Sequence, residues 1–275
     1  TQATSEEAAP SPEPAATKAE ASPFPKRGHE LSNLRQENRR VFEMSDKTVQ
    51  AVFSPSPIYA FDKESGTYRD TVNTLEKEED GLHFVCDQKS FLARFNNTGK
   101  GEELFSIEEG IHKVTVFARE SLRSRLTKRL PLFRREEQAK KQLADFLTFP
   151  DMEEDTDYEY SVSGSGVKEC ILVKKPKLLY RYSFVLQCEN VTAQMEEDQS
   201  IVFLDHESGR KVFLIPAPFM EDAAGVSSNA VHYEMRALRD GMVGLTLSAD
   251  SDFLNDKDRV FPVTIDPQIN LYRET

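Results

Sequence analysis

Tryptophan is absent from the 275 residues, cysteine occurs three times and histidine five times. Each shortage closes off a class of chemistry. A sugar cleft built on aromatic platforms would have to rest on the eight tyrosines, which counts against glycosidases and carbohydrate binders. Three cysteines cannot make a disulfide framework, and no CxxC pair offers a zinc site. The histidines, His29, His83, His112, His206 and His232, fall at no HExxH or other metal-binding spacing. His83 and Cys86 would lie on opposite faces of a strand and so would not share an ion. GxSxG, P-loop and GxGxxG motifs are missing as well, and no cofactor is expected. No apolar run approaches the about 18 residues that span a bilayer, so no transmembrane segment is expected. Positive charge is also scarce: 35 Lys and Arg against 47 Asp and Glu leave a net charge of −12. Cations are what displace phosphate counterions, so this balance argues against a nucleic-acid partner.

What is present begins with a biased leader. Residues 1–28 hold five prolines and seven alanines among Ser, Thr and Glu, with Phe24 the only large apolar side chain. So little apolar surface cannot offset the entropy of ordering, and the segment is expected to be a disordered leader. The chain starts at Thr1, and a Pro/Ala/Glu/Ser stretch often follows a cleaved secretory signal, so secretion is the expectation.

From about residue 40 the apolar period is two. Ile58-Tyr59-Ala60-Phe61 leads into the turn Asp62-Lys63-Glu64-Ser65-Gly66, whose glycine can take a positive φ. The spelling D-x-E-S-G recurs at Asp205–Gly209, between Ile201–Leu204 and Val212–Ile215. Two hairpins are expected. Further on, Tyr180, Tyr182, Phe184, Leu186 and Cys188 share one strand face. Val231, Tyr233 and Met235 alternate in the same way, as do Val243, Leu245 and Leu247 and then Phe261, Val263 and Ile265. Pro262 has no N–H to donate, so it belongs at an edge or a gap in the ladder. The fold class is therefore mainly β, as antiparallel sandwich units.

Residues 119–148 break the pattern. Leu122, Leu126 and Leu130, then Ala139, Leu143, Phe146 and Leu147, fit helical stripes separated at Pro131. The expected organisation is thus a leader at 1–28, a first β unit at 29–118, a charged helical connector at 119–150, a C-terminal sandwich at 151–268 and the start of a linker at 269–275. The connector carries nine Arg or Lys against four acids. Its Arg123, Arg125, Lys128 and Arg129 are the candidate surface for an anionic partner such as cell-wall polymer, although charge on a helix is more often a solvated face. The acids Asp250, Asp252, Asp256 and Asp258 could meet around calcium. They lack the DxDxDG loop with its distal Glu, so a solvated turn is the better reading. Cys170 and Cys188 flank a Lys175-Pro176-Lys177 turn, and a simple hairpin there would set Cys170 near Phe184. Three free thiols are expected.

Three passages carry a resemblance. The first runs from Leu34-Arg35-Gln36-Glu37-Asn38-Arg39-Arg40-Val41-Phe42 through Tyr59, Gly66–Asp70 and Asn73-Thr74-Leu75. The second is Tyr160-Ser161-Val162 with Gly166–Val173. The third pairs Phe213–Ala223, containing IPAPFMEDA, with Arg259–Pro267, RVFPVTIDP. Together they resemble the β-rich N-terminal region of secreted, wall-associated YD-repeat (RHS-type) proteins of Gram-positive bacteria, many with DNRLRE-type domains. Tyr68 stands where that family usually has tryptophan, and Val72 where it usually has aspartate. The resemblance implies a secreted or wall-associated, non-catalytic structural or adhesion module ahead of downstream repeats of the same polypeptide. In polymorphic-toxin relatives a variable C-terminal domain carries the toxic activity, and no catalytic residue transfers to this chain. A stand-alone binding module for cell-wall glycan or another anionic partner is the alternative expectation, and a carboxylate-dependent hydrolase a more distant one.

Overall fold

The computed structural model describes residues 25–54, 57–79, 81–96, 103–118, 132–135 and 143–272. The expected leader falls outside the described residues except for its last few positions. A first antiparallel sheet has the order β1 (Arg27–Glu30), β2 (Arg39–Met44), β3 (Val49–Phe53). The hairpin of β4 (Tyr59–Asp62) and β5 (Thr67–Asp70) follows. Tyr59 is buried beneath this front piece, with the guanidinium of Arg35 4.4 Å and that of Arg40 5.6 Å from its ring centre. Its hydroxyl donates to Glu30, which also accepts from Nε and Nη2 of Arg35.

The rest is one antiparallel system closing around a single core. A meander of β6 (Leu75–Lys77), β7 (His83–Asp87), β8 (Leu92–Asn96), β9 (Glu103–Glu109) and β10 (His112–Ala118) leads into it. Then come β11 (Leu132–Arg135), β12 (Leu143–Glu153), β13 (Thr156–Ser163) and β14 (Gly166–Val173). Next are β15 (Arg181–Glu189), β16 (Val191–Met195), β17 (Ile201–Asp205) and β18 (Lys211–Ile215). The chain finishes with β19 (Met220–Asp222), β20 (Ser227–Ser228), β21 (Val231–Ala237), β22 (Met242–Ala249), the single helical turn α1 (Ser251–Leu254), β23 (Val263–Ile265) and β24 (Gln268–Leu271).

The expected helical connector is strand wherever 119–150 is described. The reason is parity: an i, i+4 spacing is even, so it places residues on one face of a strand as readily as on one face of a helix. In β12, Leu147 and Phe149 are buried while Phe146, Thr148 and Pro150 are less so, the two-residue alternation of a sheet. Strand pairing also crosses the boundary expected there. β12 pairs with β6 (Leu143 opposite Glu76), and β10 pairs with β15 from Lys113 opposite Glu189 to Ala118 opposite Phe184. One core cluster accordingly runs from Leu75 to Leu271.

Both D-x-E-S-G segments are turns, built alike. Asp62 accepts from the N–H of Glu64 and Ser65, and Asp205 from the N–H of Ser208. Gly66 (φ 66°) and Gly209 (φ 68°) take the left-handed conformation that only glycine adopts without cost. β14 and β15 do not form the simple hairpin expected around Lys175–Lys177. β14 pairs with β13, β23 and β24, whereas β15 pairs with β10 and β22.

The approach of β24 to β14 depends on Gly166, where an added Cβ would come 2.1 Å from the Ile269 carbonyl oxygen and 2.7 Å from the Asn270 Cα. Both contacts are backbone and cannot swing away. Gly166→Ala is expected to separate the two strands and cost at least about 1–3 kcal/mol, read as a lowered midpoint in denaturant titration with Gly164→Ala measured alongside.

Candidate functional site

The strings that stand out in the sequence meet at one seam. On one edge β14 is shared: Gly166–Lys168 pair with β24 and Ile171–Val173 with β23. The switch falls at Asp266-Pro267. Pro267 has no N–H, but its carbonyl accepts from the Glu169 N–H at 3.1 Å. Lys168 Nζ lies 3.0 Å from Asp266 Oδ2. On its other side β23 pairs with β19, Met220 opposite Ile265 and Asp222 opposite Val263. Asp222, 1% exposed at its side chain, accepts from Arg259 Nη1 at 2.9 Å and from the N–H of Ala224, Val226 and Val260. The three N–H bonds and the guanidinium outweigh the burial that would raise it, holding its carboxyl down at about 2. Arg259 in turn stacks 3.5 Å from the centre of the Phe253 ring.

Glu169 is the chemically unusual member. Its side chain points into the core, where Tyr160 Oη donates to Oε1 at 2.5 Å. Burial pushes its carboxyl up to about 7, against the lowering effect of Tyr160, and Asp266 adds repulsion. Asp266 is itself raised, mainly by burial. Beside Glu169 lies a cavity of ≈ 20 Å³ lined by Phe105, Tyr233, Pro267 and Gln268 among others, room for about one water. Among the described residues, the Tyr233 hydroxyl and Asp266 Oδ1 are buried without a hydrogen-bond partner. The cluster can hold a proton or a water, but it is sealed from any polymer substrate.

A second pair has the look of acid–base machinery. His112 Nε2 is 2.5 Å from Asp205 Oδ2, and His112 Nδ1 is 3.1 Å from the Glu109 carbonyl. Both ring nitrogens are engaged, one by a carboxylate and one by a backbone carbonyl, and the ring is buried. Asp205 is held well below the usual carboxylate range by Ser208 and His112. The pair ties the start of β10 to the β17–β18 turn.

The outward face of β15–β22–β21 is an open polar surface. Register places Arg181, Ser248 and His232 in one row, Ser183, Thr246 and Glu234 in the next, and Val185, Gly244 and Arg236 in a third. A groove of ≈ 390 Å³ is lined by Arg181, Ser183, Glu234, Met235, Arg236 and Thr246. Arg181 Nη2 donates to Glu234 Oε2 at 2.7 Å. Arg236 lies across Gly244, where a Cβ would sit 3.1 Å from its Nε. Two guanidiniums beside hydroxyls offer phosphate oxygens a set of donors.

The residues singled out in the sequence fare differently. Arg123, Arg125, Lys128 and Arg129 lie outside the described residues. The four acids at 250–258 do not converge. Asp250 caps α1 by accepting from the N–H of Asp252 and Phe253, and Asp256 accepts from the N–H of Asp258. Among the described residues no group of three or more His, Cys, Asp or Glu is placed to hold a metal ion. The three cysteines are free. Burial pushes Cys86 up to about 12 and Cys170 and Cys188 up to about 11, so all are inert thiols at neutral pH.

Similarity to known proteins changes the functional reading. A tRNA3(Ser)-specific nuclease WapA of Bacillus spizizenii is 26% identical over 269 residues, 92% of this chain and 11% of that protein. A tRNA nuclease WapA of Bacillus subtilis strain 168 is 27% identical over 255 residues, 88% of this chain and 10% of that protein. A tRNA(Glu)-specific nuclease WapA of Bacillus subtilis subsp. natto matches to the same extent. The chain thus spans about a tenth of the length of the curated relatives it matches. No family model matches, and no solved structure does.

These relatives overturn the expectations of a non-catalytic adhesion module, of no enzymatic role and of no nucleic-acid partner, since each is named as an enzyme acting on tRNA. The inference from net charge failed for a physical reason. A total of −12 averages over the chain, whereas a phosphate responds to charges within about 10 Å, the screening distance in salt. Among the described residues no helix is long and apolar enough to cross a membrane.

Glu169 gives the site a testable pH signature. Its folded-state value lies above that of an unfolded glutamate, so between roughly pH 4.5 and 7 the unfolded chain releases a proton that the folded chain keeps. Stability therefore falls as pH rises through that window and levels off above it. Glu169→Gln, which keeps an acceptor for Tyr160, should remove most of this slope, on the order of 3 kcal/mol across the window. Denaturation midpoints between pH 4 and 8 check it; an unchanged slope would assign the titration elsewhere.

Proposed function

We propose that this chain is a β-rich part of a polypeptide that acts as a nuclease on tRNA. The observation that carries the reading is the similarity to WapA tRNA nucleases along about nine-tenths of the chain. The proposal concerns the whole polypeptide. Within this chain, the surface whose chemistry suits RNA is the β15–β22–β21 face, where Arg181, Arg236, Ser183 and Thr246 surround an open groove. Arg181 is already paired with Glu234, so phosphate binding there would exchange one anion for another, and Arg236 would be the stronger donor. The polypeptide is secreted and remains with the wall of a Gram-positive bacterium. The Pro/Ala/Glu-rich leader and the resemblance to wall-associated YD-repeat proteins support that location, as does the Bacillus origin of the relatives.

Two assays test the reading. The full polypeptide and this chain alone are each incubated with a total tRNA pool, and cleavage is followed on denaturing gels. Cleavage by the full polypeptide is expected, and an intact pool would overturn the proposal. Separately, Arg236→Glu should weaken tRNA binding by the chain about threefold to tenfold at low salt and reduce the salt slope by about one. Affinity unchanged in both Arg236→Glu and Arg181→Glu would remove this face from the RNA path.

A further inference from the structure

Among the described residues neither edge of the β1–β2–β3 sheet has a further strand partner, and the two edges are built differently. β1 is short, its register with β2 shifts between Arg27 and Glu30, and it carries Arg27, His29 and Glu30. Charge and irregularity of this kind keep an edge from accepting another strand. β3 reads Val49-Gln50-Ala51-Val52-Phe53, with no charge and no proline in a chain whose residues are 30% charged. Its pairing with β2 is regular from Arg39 opposite Phe53 to Glu43 opposite Val49.

The direction of its backbone groups follows from that register. Ser54 N–H donates to the Asn38 carbonyl and Met44 N–H to the Thr48 carbonyl, so the close hydrogen-bonded pairs with β2 involve the even-numbered residues. Val49, Ala51 and Phe53 therefore turn their N–H and C=O groups outward. Their side chains are exposed too, Val49 at 58% and Phe53 at 66%. An open row of backbone donors and acceptors next to uncovered apolar side chains is a template for strand addition.

We propose that β3 pairs antiparallel with β3 of a second copy of this chain, about a two-fold axis at Ala51. Two observations select this occupant. Antiparallel self-pairing sets Ala51 opposite Ala51 and Val49 opposite Phe53, so every outward N–H meets an outward C=O. The facing side chains become apolar cross-strand pairs with no like charges opposed. Charge on the same face of β2 also complements itself. Arg39 lies beside Phe53 and Glu43 beside Val49, so the two-fold sets the Arg39 end of one copy against the Glu43 end of the other. A parallel arrangement would align like with like. The contact is isologous and closes at two copies, and it stands independently of the tRNA reading.

The test is sedimentation velocity of the whole chain over a concentration series, expected to show a monomer–dimer equilibrium. Ala51→Pro removes an N–H that β2 does not use and should raise the dissociation constant about tenfold or more, with the melting curve as the control for folding. Ala51→Glu and Ala51→Lys should each be monomeric, because each sets like charges face to face. Mixed together, they should recover a heterodimer. A wild-type chain that stays monomeric at every concentration, or charge variants that dimerise alone or fail to recover each other, would overturn the proposal. Dimers insensitive to all three substitutions would place the interface elsewhere and overturn it equally.

Discussion

The arrangement depends on how β14 divides one edge between two partners. A strand that pairs with one neighbour along its length makes a simple ladder. β14 meets β24 over its first residues and β23 over its last, and the break coincides with Asp266-Pro267, where the missing proline N–H could not have served a ladder. The division lets β24 run on to β18 while β23 turns to β19, so the β16–β18 strands and the β19–β20 strands both attach to the main sheet at this place. The price is a polar gap inside the core, which Glu169 and Asp266 line, while Lys168 reaches Asp266 from the exposed face of β14.

Carboxyl groups at such a gap keep their charge only when enough donors reach them. Asp222 shows the finished case: four donors hold its carboxylate, and its pairing with Arg259 ties the loop before β23 to the end of β19. Glu169 shows the unfinished case. With Tyr160 as its one side-chain donor among the described residues, it is more easily kept neutral than charged. The two carboxylates thus respond to pH in opposite senses, and the difference lies in the number of donors each receives. His112 and Asp205 are a third solution, in which a side-chain pair fastens the start of β10 to the β17–β18 turn.

Much of the β architecture is legible in the sequence, because alternation and turn chemistry are local. The face Tyr180, Tyr182, Phe184, Leu186 is buried as the period requires, and both D-x-E-S-G segments turn where their glycines allow. The helical reading of 119–148 failed where a stripe at even spacing carried two meanings and only the neighbouring strands β6 and β13 could choose between them. Arg236 and Gly244 gave no signal at all. They sit eight positions apart and become one surface only when β21 and β22 pair. The charge argument against nucleic acid, overturned by the tRNA-nuclease relatives, rested on a sum over the whole chain, and a sum carries no position.

By itself, then, sequence determined the class of structure, the faces of most strands and the turns between them, because backbone sterics and side-chain period act over a few residues. Tertiary structure decided which strands are neighbours. It brought Lys168-Glu169, Met220–Asp222 and Arg259–Pro267 to one seam, raised one carboxyl and lowered another, and left β3 with a single strand partner among the described residues. Those outcomes depend on contacts between residues far apart in the chain. Their stability comes from burial and from the pairing of polar groups within it, neither of which a local pattern records.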